Sequence, residues 1–372
     1  MSAGPAAPRQ IAVVNAGAST LKLATMEVSA GRVLTVSRQQ YEWADAEERD
    51  QLLRAALQAL QPPPQAFGHR LVHGGARFVD ATTVTAAVEA ELESLIPLAP
   101  LHNEPAIAAI RAGRALYPQV PAVAVFDTAF HAGRPAVSRR YALPAELVET
   151  FGVRRYGFHG IAHASLLEGL AAAQGKAIEE VSAVTLQLGA GCSACAVRHG
   201  RSLETSMGFT PLEGLVMATR CGDIDAAIVL RLIRAGYTAD QVEDALTRRS
   251  GLLALCGSSD MRAILAAADA GQADAQFALE LFCHRVVLTV GGYLTLLGGE
   301  GAVVFGGGIG SHAAAVRARV GHGLAAWGVV IDAARNLRHA PGLVSTDQSR
   351  PVYALHTDEE SLIAREVDRH LG

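Results

Sequence analysis

Two arginines stand where a bare guanidinium would be costly. Arg70 lies in GHRLVHGG and Arg220 in MATRCGDID, each among small or apolar neighbours, and an unpaired buried charge is expensive. An anionic ligand would satisfy both. A structural salt bridge to a nearby acid would do the same, and position alone does not choose between them. Asp127 closes the apolar run VPAVAVF and precedes TAFH. That sets a carboxylate at the C-terminal end of a strand, where ligands gather in open α/β sheets; a helix N-cap is the competing use of an Asp there. His159 sits in RRYGFHG, between glycines and beside an aromatic residue. A lone histidine is more often structural, but Arg154, Arg155, His159 and His163 form a cationic run that suits contact with an anion. Lys22 by itself reads as a solvated edge lysine, and Glu359 in TDEES as a first-turn carboxylate favoured by the helix dipole. Cations around a moving phosphoryl and acids to hold magnesium are what phosphoryl transfer demands, with little covalent help from the protein.

Small residues could supply the remaining donors. VVNAGASTLKLA (13–24) resembles LQLGAGCSACAV (186–197), with Ala16-Gly17-Ala18-Ser19 lining up with Ala190-Gly191-Cys192-Ser193. In each copy an apolar strand enters small residues and then a second strand, and a Gly-Arg pair follows, Gly31-Arg32 and Gly200-Arg201. Such a turn lets backbone N–H groups approach an anion closely, in the second copy around Gln187, Gly189 and Gly191. A third stretch, VVFGGGIG, carries Gly306, Gly307, Gly308 and Gly310 from a strand into a helix-like segment. It suits a nucleotide, although a strand-to-helix turn with nothing bound is the plainer reading.

These groups need a scaffold. Strand-like runs at 11–14, 69–73, 121–126, 183–188 and 302–305 alternate with helix-period stretches at 50–60, 104–116 and 225–235, which predicts an α/β protein. The duplicated hairpin predicts two similar halves facing one another, and 372 residues exceed what one core usually organises. Pro62-Pro63-Pro64 marks a surface connection too early to be the main boundary. Half the residues are apolar, which excludes a disordered chain. A net charge of -4 with scattered basic residues gives nucleic-acid binding no support. The opening MSAGPAAPRQ lacks the features of a signal peptide and no apolar run is expected to span a membrane, so a cytoplasmic location is expected. Five cysteines fit reduced thiols, and Cys192 and Cys195 read as small strand residues despite their C-x-x-C spacing.

Taken in order, NAGASTLK, HRLVHGG, LAPLHN, VAVFDTAFH, RRYGFHGIAH, TSMGFTPLEGLVMATRCGDID and TDEE resemble the acetate kinase family, within the group of sugar kinase, Hsp70 and actin-like ATPases. The resemblance runs nearly end to end. It implies two actin/ribonuclease H-like domains with a ligand cleft between them, the first spanning 1–131 plus 361–372 and the second 132–360. It implies reversible transfer of a phosphoryl group from ATP to acetate or another short-chain carboxylate, with Mg2+, in a homodimer. Asn15 and Lys22 would meet phosphate or its magnesium, Arg70 and Arg220 would clamp carboxylate and phosphoryl, and His159 would stabilise the group in flight. Asp127 and Glu359 would hold the metal and its waters. Val72, Leu101, Phe158 and Pro211 would form the acyl pocket, and the 306–310 glycines would carry the adenine side. The chain departs from the family where HLGNG becomes QLGAG, with Gln187 for histidine and Ala190 for asparagine. Ala18, Thr20 and Cys221 replace serines, and Ser311-His312 replaces Glu-Asn. These departures leave the phosphoryl donor open and allow a low-turnover binding protein as the alternative.

Overall fold

In a computed structural model, residues 7–338 and 340–372 are described. Residues 1–6, which begin the opening stretch considered above, lie outside them. The apolar runs become strands: β1 (Arg9–Ala16), β2 (Thr20–Ser29), β3 (Arg32–Glu42), β4 (Ala66–Leu71), β5 (Thr82–Thr83) and β6 (Ala122–Phe126), then β7 (Ala183–Leu188), β8 (Cys192–Arg198), β9 (Arg201–Thr205), β10 (Ala302–Gly306), β11 (Gly342–Leu343) and β12 (Val352–Ala354). Two six-stranded sheets result, in the orders β3-β2-β1-β4-β6-β5 and β11-β12-β10-β7-β8-β9. Read from opposite edges, these are the same order. In each, three strands form an antiparallel meander, its first strand pairs in parallel with the fourth, and a short antiparallel strand closes the far edge.

The duplication extends to turn chemistry. Ala30 and Gly31 have φ of 49° and 75°, and His199 and Gly200 have φ of 48° and 76°. Two consecutive left-handed residues make the two-residue hairpin whose twist matches its strands. The register corrects the sequence alignment of the first hairpins. Ala16 pairs with Leu21 and Leu188 with Cys192 as the last rungs, so Asn15 corresponds to Gln187, with Gly17-Ala18-Ser19-Thr20 joining the first pair of strands and Gly189-Ala190-Gly191, one residue shorter, the second. Similar small residues on both sides of the turn had drawn the alignment two positions along.

The chain divides into two compact units: the residues up to Ala132 with His159–Ala162 and Asp358–Gly372, and Gly133–Phe158 with His163–Thr357. In the first, alternate residues of β1 and β2 (Ala12, Val14, Leu21, Leu23) join Leu53 and Leu57 of helix Ala46–Gln58 and Ile107 and Ile110 of helix Pro100–Leu116 in one core. The opposite face is covered by helix Glu359–Leu371. It approaches so closely that a Cβ on Gly68 would lie 2.8 Å from Ile363 and 2.9 Å from Val367. Both faces of the parallel strands are therefore dry, which is why they read as continuous apolar runs.

In the second unit, helix Ala273–Leu296 packs on β7, β8 and helix Met261–Asp269. The expectation that no apolar stretch reaches membrane-spanning length needs correction. Gly251–Asp269 and Ala273–Leu296 are, by length and composition, long and apolar enough to cross a membrane. The first is broken into helices Gly251–Cys256 and Met261–Asp269, and the second buries Ala278, Phe282, Val286, Val290 and Leu294. Packing within the unit accounts for the composition of the second.

Candidate active site

In the first unit, three parallel strands end side by side and each delivers one polar group. Asn15 is the penultimate residue of β1, Arg70 of β4, and Asp127 immediately follows β6. Arg70 Nε donates to Asp127 Oδ1 at 3.1 Å, Nη2 to Oδ2 at 2.6 Å, and Nη1 to Asn15 Oδ1 at 3.1 Å. This answers the first open alternative: Arg70 has an acid partner, in the two-pronged geometry that suits guanidinium and carboxylate. Burial opposes its charge, but Asp127, then Glu359 and Glu360, outweigh burial and hold the pKa above its ordinary value. Asp127 is 1% exposed; burial pushes its carboxyl up, Arg70 pulls it down, Glu359 pushes it up again, and the net direction is upward. Glu359 and Glu360 occupy the first turn of the terminal helix, capped by Asp358. They are the carboxylates whose field reaches Arg70.

Lys22 faces solvent on β2 and pairs directly across the ladder with Asn15, so both side chains project from one face. His159 adopts φ 57°, rare for a residue with a side chain. The next residue explains the tight placement. Gly160 N donates to Asp127 O at 2.8 Å, and a Cβ on Gly160 would lie 2.2 Å from that oxygen. The glycine thus lets the His159 loop close onto the Asp127 strand end. Val72 is buried, whereas Leu101, in the first turn of helix Pro100–Leu116, is 46% exposed.

In the second unit the corresponding strand ends carry Gln187 on β7, Gly306 on β10 and Thr357 after β12. Gly307 opens helix Gly307–His312 with φ 73°. A Cβ there would meet Leu188 O at 2.4 Å, while Gly308 has open space around it. Gly308, Gly189 and Ala190 line a cavity of about 650 Å³ with Asp260, Arg262 and His312, a size suited to a nucleotide. Gly310 is buried beneath, its carbonyl accepting at 2.8 Å from Arg317, which is itself 2% exposed. Gly191 O accepts from Gly189 N at 3.1 Å across the small turn.

Arg220 differs from Arg70 in its contacts. Its Nη1 donates to Pro211 O at 3.0 Å, and among the described residues no carboxylate forms an ion pair with it. Burial lowers its pKa, offset only by Cys192. Pro211 is half-buried and Phe158 is buried.

The cationic run breaks up and is corrected here. His163 is buried and hydrogen-bonds the hydroxyls of Thr185 and Ser193, both at 2.8 Å. Arg155 pairs with Glu213, and Arg154 lies 5.1 Å over the Tyr156 ring. His159 is the member of the run that joins the first unit. Cys192 and Cys195 are buried on β8, where burial pushes both thiols up to about 12.

Sequence reading passed over Ser259–Arg262 and Arg317. The signal for the former was Asp260 as N-cap of helix Met261–Asp269, a pattern indistinguishable from an ordinary cap. Arg317 gave none, because its partners Gly310, Ser311 and Asn336 are fixed by tertiary packing.

The repeated strand order defines an α/β protein built on two six-stranded sheets of like topology. Residues 32–365 match the model of the acetokinase family. The acetate kinase of Streptomyces avermitilis is 42% identical over 363 residues, covering 96% of this chain and 90% of the relative. The acetate kinase of Clavibacter michiganensis is 43% identical over 386 residues, covering 96% and 98%. Among solved structures, Porphyromonas gingivalis acetate kinase aligns with a TM-score of 0.87 at 32% identity, over 98% of this chain and all (100%) of that one. A Francisella tularensis propionate kinase gives 0.87 at 33%, over 96% and 98%. The chain belongs to the acetokinase family.

Proposed function

We propose that the chain is an ATP-dependent carboxylate kinase that reversibly converts acetate, or another short-chain acid, to its acyl phosphate. The observation that carries this reading is Arg220: a half-buried guanidinium with no acidic partner among the described residues, which an anionic substrate would complete. A carboxylate oxygen attacks the terminal phosphorus in line. The new O–P bond forms as the bond to the bridging oxygen breaks, and ADP leaves with that electron pair. Arg220, Arg70 and His159 meet the charge on the equatorial oxygens, the main contribution a protein makes to such a transfer. Asp127 keeps Arg70 charged and aimed.

Among the described residues no three His, Cys, Asp or Glu side chains gather as a metal cage. Magnesium takes one or two carboxylates and otherwise leans on phosphates and water. Asn15, Asp127 and Glu359 are the residues that would hold Mg2+ and its waters, and the ion would supply charge neutralisation on the nucleotide phosphates. Lys22 adds a cation on the same strand face as Asn15. The adenosine would occupy the 650 Å³ cavity that Gly308 lines, with Gly306, Gly307 and Gly310 making up the rest of the strand-to-helix turn beside it. Gly191 offers a backbone donor to the phosphates, and Gly189, whose N–H is taken up by Gly191 O, shapes the turn that presents it. Val72, Leu101, Phe158 and Pro211 are assigned to the acyl group. A homodimer is supported by the apolar side chains that helix Ala226–Arg234 and its flanks leave exposed, Ile224, Ile228, Leu230, Ile233 and Tyr237. A cytoplasmic setting fits five free cysteines.

A second reading, a low-turnover binding protein, draws on the neutral Gln187 and Ala190. Trapping acyl phosphate with hydroxylamine, with ATP or pyrophosphate as donor and acetate, propionate or butyrate as acceptor, separates the two. Hydroxamate with ATP and one short acid supports the kinase. ATP binding without product from any acid or donor supports the binding protein.

A further inference from the structure

The position equivalent to Asn15 is Gln187, and its surroundings determine which end of its amide is presented. Gly307 N donates to Thr357 Oγ1 at 3.1 Å. That hydroxyl has one proton, and it goes to Gln187 Oε1 at 2.8 Å. The carbonyl end of the amide is thereby occupied, and the Nε2 end, which makes no hydrogen bond within the described residues, is turned away from Thr357. All three groups lie at the C-terminal ends of neighbouring parallel strands, β7, β10 and β12, with Gln187 and Gly306 in direct register. A Cβ on Gly306 would lie 2.9 Å from Thr357 Oγ1, so the glycine lets the hydroxyl sit this close to the end of β10.

We propose that Thr357 is a positioning residue for the phosphoryl transfer: it locks the Gln187 amide so that Nε2 serves as a neutral donor to a phosphate oxygen. The assignment rests on the kinase reading above. Without the Thr357 hydroxyl, the amide would be free to flip and present its carbonyl oxygen to the phosphate, which repels it. The histidine usual in the family at this position can carry a charge. Here a neutral donor is used instead, and its orientation must come from a neighbour.

The test compares Thr357→Val, Thr357→Ser, Gln187→Ala and the double variant Thr357→Val/Gln187→Ala by hydroxamate formation, with thermal melts as a check on folding. Thr357→Val is expected to lower kcat by roughly tenfold while leaving KM for ATP within about twofold, and Thr357→Ser to restore most of the loss. In the Gln187→Ala background, Thr357→Val should cost nothing further, because its effect runs through the amide. Additive losses in the double variant would overturn the assignment, as would a serine variant as slow as the valine one. If Thr357→Val fails to fold, the serine variant with Gln187→Ala and Gln187→Glu carries the test: serine near wild type and glutamate slower than alanine are expected, and glutamate equal to alanine would contradict a donor role. A wild type that forms no acyl phosphate sinks the kinase reading, and this assignment with it; active wild type with an indifferent Thr357 sinks the assignment alone.

Discussion

The Arg70 guanidinium meets the Asp127 carboxylate edge to edge, through hydrogen bonds of 3.1 and 2.6 Å, with Asp127 1% exposed. Each group therefore fixes the position of the other. Truncating either partner strands a buried charge and should cost about 3–5 kcal/mol of stability. Arg70→Lys keeps the charge but loses the fork, so a folded but nearly inactive protein is expected. Melting curves alongside hydroxamate rates check both parts, and a fully active lysine variant would contradict the assignment.

Arg220 should behave differently, because among the described residues no carboxylate pairs with it. Arg220→Ala is expected to leave the melting temperature within about 2 °C of wild type, as for a substitution that breaks no buried pair. It should cut kcat/KM by at least about a hundredfold, as expected on removing a charged transition-state contact. A large stability loss with activity retained would show that Arg220 serves the fold and not the reaction.

Two adjacent glycines should separate fold from binding. Gly307→Ala forces a Cβ to 2.4 Å from Leu188 O at φ 73°, and should destabilise the protein by a few kcal/mol, roughly the cost of backbone strain with a steric clash. A Cβ on Gly308 would meet nothing within 4 Å, so Gly308→Leu should leave stability unchanged while raising KM for ATP by filling the cavity. Equal effects at both positions in either assay would remove the cavity from the account.

His69 supplies a pH dependence unrelated to catalysis. It is buried on β4, 5.8 Å from the Phe67 ring, and neither ring nitrogen finds a hydrogen-bond partner among the described residues. Burial lowers its pKa from 6.5 to about 3. Above pH 6.5 the folded and unfolded chains both hold it neutral. Below that, the unfolded chain takes up a proton that the folded one refuses, so stability falls from about pH 6.5 toward 3, by up to roughly 1.4 kcal/mol per pH unit. His69→Phe should flatten that limb in chemical denaturation measured from pH 4 to 7. An unchanged slope would mean that other groups carry the acid sensitivity.

The strand runs and the glycine turns were legible because they follow local periodicity and local backbone freedom. The runs at 11–14, 183–188 and 302–305 are strands β1, β7 and β10, and the 306–310 glycines do leave a strand for a helix. The partners were not legible. Arg70 and Asp127 are 57 residues apart and meet only because β4 and β6 are neighbours. The same cause hid the burial of His163, whose hydrogen-bonding hydroxyls lie on β7 and β8, and the part of Thr357, which read only as the start of TDEE. The two-residue slip in aligning the hairpins had a local cause: runs of Ala, Gly and Ser match in several registers, and only the ladder chooses one.

The most direct test of the central claim is the reverse reaction. Purified protein is supplied with acetyl phosphate, ADP and magnesium, and ATP is read by luminescence while acetyl phosphate loss is followed in parallel. The account predicts one ATP for each acetyl phosphate consumed in the wild type, and none above background with Arg220→Ala. Acetyl phosphate and ADP that both bind while no ATP appears would contradict phosphoryl transfer as the function of this site.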